Sequence, residues 1–169
     1  MRKRFALYLL SLLLIGAVAA IASRALFVSA APEQPIAFPH KTHVVDNKMD
    51  CAFCHKFADK SPVAGLPGVQ DCMVCHQVIK TDSPEIQKLA DYMQKGQEIP
   101  WARVYRLPES GNVIFTHKRH VKARVDCATC HGNAGSSMRV TREVEHTMTS
   151  CMDCHRSNNA SIDCLTCHK

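Results

Sequence analysis

The chain has 169 residues, a length that suggests one domain. Its formal charge of +6 does not mark a nucleic-acid binder: Arg2, Lys3, Arg4 and Arg24 lie in an N-terminal segment, and from Ala31 onward 17 basic residues stand against 15 acidic ones. There is no glycine-rich phosphate loop and no nucleophile with a matched base.

Residues 1–30 read as a targeting segment. Arg2-Lys3-Arg4 is a positive leader, and Phe5 to Ala22 is a run of 18 apolar or small residues. The basic end stays cytoplasmic and the rest of the chain is exported. Val28-Ser29-Ala30 resembles a cleavage site, but the run is long enough to span a bilayer and apolar character resumes at Ala25-Leu26-Phe27-Val28. The segment is therefore expected to persist as one N-terminal transmembrane helix, a signal-anchor. Residues 31–39 form a proline-rich, extended linker.

Residues 31–80 hold Phe38-x-His40-x-x-His43, then Cys51, Cys54 and His55, a turn-rich loop over Ser61 to Gly68, and Cys72, Cys75 and His76. Residues 81–114 form a helix and a connector. Asp82 or Ser83 can cap the helix, Pro84 suits its first turn, and Gly96 ends it. Ile86, Leu89, Ala90 and Met93 share one face, expected to pack on a cofactor. In the connector, Trp101 and Tyr105 are anchors whose simplest role is local packing. Residues 115–169 repeat the opening as Phe115-x-His117-x-x-His120. Three motifs come after it: Cys127, Cys130 and His131; Cys151, Cys154 and His155; and Cys164, Cys167 and His168. The shared opening and the haem motif that comes after each copy make 31–80 and 115–169 an internal repeat.

Cys-x-x-Cys-His is the attachment signature of a c-type haem. Two thiols add to the porphyrin vinyl groups, and the adjoining histidine becomes the proximal iron ligand. Five such runs use all ten cysteines, leaving none for a disulfide or catalytic thiol. Zinc sites do not need a histidine directly after every cysteine pair, and disulfides need none. The chain has ten histidines: five proximal, and five others, His40, His43, His117, His120 and His146, that match the five distal positions. Five covalently attached haem c groups over so short a chain must themselves be the core. The expected fold is a mostly irregular, haem-cored multihaem cytochrome c with few short helices: a dihaem module over 31–80 and a trihaem module over 115–169. Ten propionates then offset the basic balance, which again leaves no nucleic-acid partner.

Residues 115–169 resemble the trihaem member of the class III multihaem cytochromes. The resemblance rests on Phe-x-His-x-x-His, a haem motif, a histidine shortly before a second motif, and a third motif near the C-terminus. It implies that His117 pairs with His131, His120 with His155, and His146 with His168. Residues 38–76 resemble the front of the same unit, which implies His40 with His55 and His43 with His76, with a ligand borrowed across modules left open. Met138 and Met148 are alternatives to His146, and methionine there would raise the potential.

Iron with two imidazole ligands has no open position, so the reading is an electron carrier without a catalytic residue. Ile99-Pro-Trp101-Ala-Arg103-Val-Tyr105-Arg106-Leu-Pro108, with the segment after it, is similar to multihaem subunits of membrane quinone-oxidoreductase complexes. It is closest to the pentahaem subunit of alternative complex III; a related quinone reductase complex has a similar haem subunit. The resemblance implies an iron–sulfur and molybdopterin-type subunit, a quinone-binding integral membrane subunit and a monohaem cytochrome as partners. It also implies quinol oxidation at the bacterial inner membrane, haems on the periplasmic side. The alternatives are a soluble periplasmic shuttle, a stand-alone membrane quinol dehydrogenase, or a multihaem reductase, which would need a five-coordinate iron.

Overall fold

The computed structural model describes residues 8–19, 31–107 and 111–168. Among these the architecture is short helices joined by irregular backbone, with one isolated antiparallel bridge, Val113 to His168. A π-helical turn, Lys41–Asp46, is followed by α1 (Cys51–Cys54), α2 (Val69–His76), α3 (Pro84–Gln94), α4 (His117–Lys122) and α5 (Cys127–His131). A 3-10 turn (Ala134–Ser136), α6 (Met148–Ser157) and α7 (Cys164–Cys167) complete the order.

The transmembrane helix expected over 1–30 is not found among the described residues. Residues 8–19 are helical and exposed throughout. Among the described residues no helix is long and apolar enough to cross a membrane. The rest of that expected span lies outside the described residues.

The two copies of the repeat are locally alike, with one difference. Seven residues separate His43 from Cys51, but six separate His120 from Cys127. The extra residue is taken up as a wider turn: Asn47 N–H donates to Thr42 O, five residues back, at 3.1 Å, whereas in the second copy Ala123 donates to Arg119 O, four back, at 3.0 Å. After this the copies re-register. Lys48 and Arg124 hold the left-handed conformation at φ 58° and 60°, and Met49 N–H on His43 O (3.0 Å) matches Val125 N–H on His120 O (3.1 Å).

A small apolar core also exists, contrary to the expectation that cofactors alone would form one. Ile36, Val69, Met73, Leu89 and Ile99 are buried, with Ile86, Tyr92 and Trp101 packed against them. Val69 and Met73, one turn apart, put one face of α2 toward α3. The stripe expected on α3 to meet a cofactor therefore meets α2 with Leu89 and Ile86, while Met93 stays exposed. Trp101 closes the core and donates its indole N–H to Pro67 O at 2.8 Å, which is local packing. Gln34 pins the connector by exchanging two hydrogen bonds with the Ala102 backbone, at 2.7 and 3.1 Å.

Candidate functional site

Three of the five cysteine pairs begin at an aspartate cap. Asp50, Asp126 and Asp163 accept from the N–H of Ala52, Ala128 and Leu165 at 3.0, 2.7 and 2.9 Å. Each cap starts a single turn, α1, α5 or α7, and cysteines three apart on a turn share a side. The other two pairs differ: Cys72 and Cys75 sit inside the longer α2, and Cys151 and Cys154 inside α6.

None of the ten cysteines is in a disulfide, so all ten thiols are available for thioether bonds. Cys75 and Cys154 are exposed, and each is the second cysteine of a pair that lacks an aspartate cap. Cys154 has a local partner in Asn158, whose amide lies 3.6 Å from its sulfur. The first cysteines run the other way in α2: Cys72 is half-buried, and its thiol lies 3.4 Å from Gly68 O. Burial, then the neighbouring Cys54 and Asp71, push the Cys72 thiol up to about 11. Burial also raises Cys54, Cys127 and Cys130. A site built to hold a metal by thiolates needs the opposite shift.

The histidines show a shared orientation. Nδ1 donates to a backbone carbonyl in His43 (Pro39, 3.0 Å), His55 (Gly65, 2.7 Å), His76 (Ile79, 2.9 Å), His117 (Pro62, 2.8 Å) and His120 (Thr116, 2.9 Å). The same holds for His155 (Ser161, 2.6 Å) and His168 (Gly111, 2.8 Å). Such a bond fixes the tautomer and leaves Nε2 as the free ligating nitrogen.

The rings also come in pairs. Centroids lie 6.2 Å apart for His43 and His76, 6.2 Å for His117 and His131, and 6.1 Å for His120 and His155. An imidazole nitrogen sits about 2 Å from a bound metal and about 1 Å from its own ring centre, so two rings on one ion stand about 6 Å apart. The polypeptide thus fits the axial ligation of three haem irons. Large apolar side chains at the motifs, Phe53, Val74 and Leu165, are exposed and supply faces a porphyrin could cover.

Three of the histidines outside these pairs, His40, His146 and His168, are less regular. His146 is brought to His131 (6.2 Å, interplanar 88°) and its Nε2 donates to Cys130 O at 2.8 Å, rather than facing His168. His168 is held instead by the backbone of 111–114, with Ile114 N–H on Cys167 O at 2.8 Å. The Nδ1 of His40 is buried without a hydrogen-bond partner. Its pKa is lowered by burial, then by His55 and His43. His131 is pushed down to about 4 by burial, then by His117, His146 and His55. It is therefore neutral at pH 7, with no proton to release before it ligates a metal.

Aromatic rings brace these imidazoles. Phe38 lies parallel to His43 (4.3 Å, 24°) and edge-on to His40 (4.9 Å, 90°); Phe115 does the same to His120 (4.6 Å, 28°) and His117 (4.9 Å, 88°). Tyr105 is a third such ring, parallel to His146 (5.1 Å, 30°) and edge-on to His131 (4.6 Å, 80°). Its hydroxyl accepts from Glu143 N–H at 3.0 Å. Sequence reasoning took Tyr105 only as an anchor. The fixed spacing that signals the two phenylalanines has no counterpart there, since His131 and His146 lie 26 and 41 residues further on.

The class III cytochrome C family matches over residues 18–104, just over half of the 169, and cytochrome c7 and related cytochrome c match over 113–169. The chain belongs to the class III cytochrome c family. This cytochrome is 31% identical over 164 residues to the menaquinone reductase multiheme cytochrome c subunit of Nitratidesulfovibrio vulgaris, covering 81% of this chain and 77% of that one. It is 33% identical over 60 residues to cytochrome c3 of Desulfuromonas acetoxidans, covering 36% and 85%. The two family matches split the cytochrome close to the connector between its two repeats. Its cofactor class is haem c, which when bound supplies one-electron oxidation and reduction at each iron.

Proposed function

We propose that this cytochrome is the electron-transfer subunit of a membrane quinone-linked oxidoreductase complex. It would carry five haem c groups on the extracytoplasmic side of the bacterial inner membrane. The three imidazole pairs at 6.1–6.2 Å carry the reading, because an iron with both axial positions filled exchanges electrons and offers no place for a substrate. His40 with His55 and His146 with His168 complete the set on the strength of the family resemblance. Placement in a complex is supported by the likeness to a menaquinone reductase subunit over most of both chains. The finer reading is a quinol-oxidising complex of the alternative complex III type. Its iron–sulfur and molybdopterin-type subunit, quinone-binding membrane subunit and monohaem cytochrome would surround this chain.

The name of that relative favours a second direction, in which electrons pass from the periplasm to menaquinone. Purification from membranes tests both. The expected result is an intact mass carrying five haems, co-purifying subunits, and haem reduction on addition of a menaquinol analogue. Reduction only by a periplasmic donor, followed by reoxidation with menaquinone, selects the second direction. A soluble chain without partners would overturn the complex.

A further inference from the structure

The two copies of the repeat also touch each other, and the contacts are reciprocal. Lys41 N–H donates to Ser137 O at 3.0 Å, and Lys118 N–H donates to Ser61 O at 3.2 Å. Lys41 and Lys118 occupy the same position in the two copies, three residues after Phe38 and Phe115. Ser61 and Ser137 are likewise equivalent, each six residues after the proximal histidine of its first motif. So the histidine-bearing turn of each copy is seated on the loop behind the first motif of the other. Gly135, in the loop of the second copy, faces Val44 from the turn of the first: a Cβ built there would lie 3.3 Å from the valine methyl. Contacts of residue i with j matched by j with i are the mark of a two-fold relation. Equivalent residues then meet each other where the axis passes. Cys51 and Cys127 are equivalent, and their thiols lie side by side.

We infer that the two repeats are an intramolecular two-fold pair whose axis runs between Cys51 and Cys127. The haem sites on Cys51/Cys54 and Cys127/Cys130 are therefore immediate neighbours across the junction between modules. The inference rests on the proposed haem ligation for its second half only. The reciprocal backbone contacts stand without it. The relation is broken locally at His40: His117 has Pro62 O for its Nδ1, whereas the Nδ1 of His40 has no partner. The symmetry is thus one of packing, and the two distal histidines nearest the junction differ in environment.

Two double variants of the full-length haem-loaded protein test the axis: Ser61→Cys with Lys118→Cys, and Lys41→Cys with Ser137→Cys. Both disulfides are expected to form to similar extents on mild oxidation, read by intact mass, with low-spin spectra unchanged. Formation of only one, or neither, would overturn the two-fold relation. Adjacency of the two sites is read from the Soret circular dichroism couplet. Removing the Cys51/Cys54 site, the Cys127/Cys130 site, or both should be non-additive, with the double variant losing less than the sum of the singles. Additive losses would overturn adjacency. A wild-type mass short of five haems would strike the haem count, while the disulfides would still decide the axis.

Discussion

Phe38, Phe115 and Tyr105 each press one ring face on an imidazole and one edge on another, so the orientation of six histidines depends on three side chains. Such pairs contribute about 0.5–1.5 kcal/mol each beyond the area they bury. Tyr105→Leu is therefore expected to destabilise the cytochrome by about 1–3 kcal/mol and to alter the electron paramagnetic resonance signals of two haems, those held by His131 and by His146. Tyr105→Phe keeps the ring and loses the hydroxyl's bond to Glu143, and should restore the wild-type signals. Loss of signal in both variants would assign the effect to the hydroxyl instead. His120→Ala should leave a single high-spin, ligand-binding iron on the site of Cys151 and Cys154, because His120 and His155 face each other at 6.1 Å. A fully low-spin ferric spectrum of that variant would refute the pair. The candidate ligands themselves were legible, since cysteine and histidine have few other reasons to recur in this pattern. Their carbonyl partners were not: Pro62 lies 55 residues from His117, and Gly111 57 from His168.

At the scale of elements, local chemistry reaches the structure where it is short-ranged. Pro84 at the head of α3 and Gly96 beyond its end are sequence signals with direct structural counterparts, whereas Ser83 takes the N-cap position of α3 without the expected side-chain hydrogen bond. Packing of α3 was not readable, because Met73, one of its partners, sits between Cys72 and Cys75 of a haem motif and was assigned wholly to that motif. Asp126→Ala should cost about 0.5–2 kcal/mol, the usual loss of a cap, measured by thermal unfolding of the haem-loaded protein. The π-helical turn Lys41–Asp46 makes a sharper case. If one inserted residue creates it, deleting Val45 should convert it to an α-turn like α4 and leave His43 ligated. The expected outcome is a five-haem, fully low-spin protein with little change in melting temperature. Appearance of a high-spin iron would show that the wide turn itself aims His43 at His76.

At the scale of the whole molecule, haem loading reverses the sign of the charge carried by the chain from Ala31 onward. The sequence has a pI near 8.8, but its excess is concentrated before Ala31, and the remainder carries 17 basic and 15 acidic residues. Ten propionates against five ferric irons bring that +2 to roughly −3, and reduction of all five irons to roughly −8. The haem-loaded domain from Ala31 onward is thus expected to bind an anion exchanger at pH 8, more tightly reduced than oxidised, and to focus well below the sequence value. Because each added electron makes the molecule more negative, later electrons enter against a rising field. That repulsion is screened by salt within about 10 Å at 0.1 M. The spread of the redox titration should therefore narrow as ionic strength increases from about 0.01 to 0.5 M. A titration curve indifferent to salt would mean that the intrinsic potentials of the sites, set by ligands and burial, dominate over their mutual repulsion.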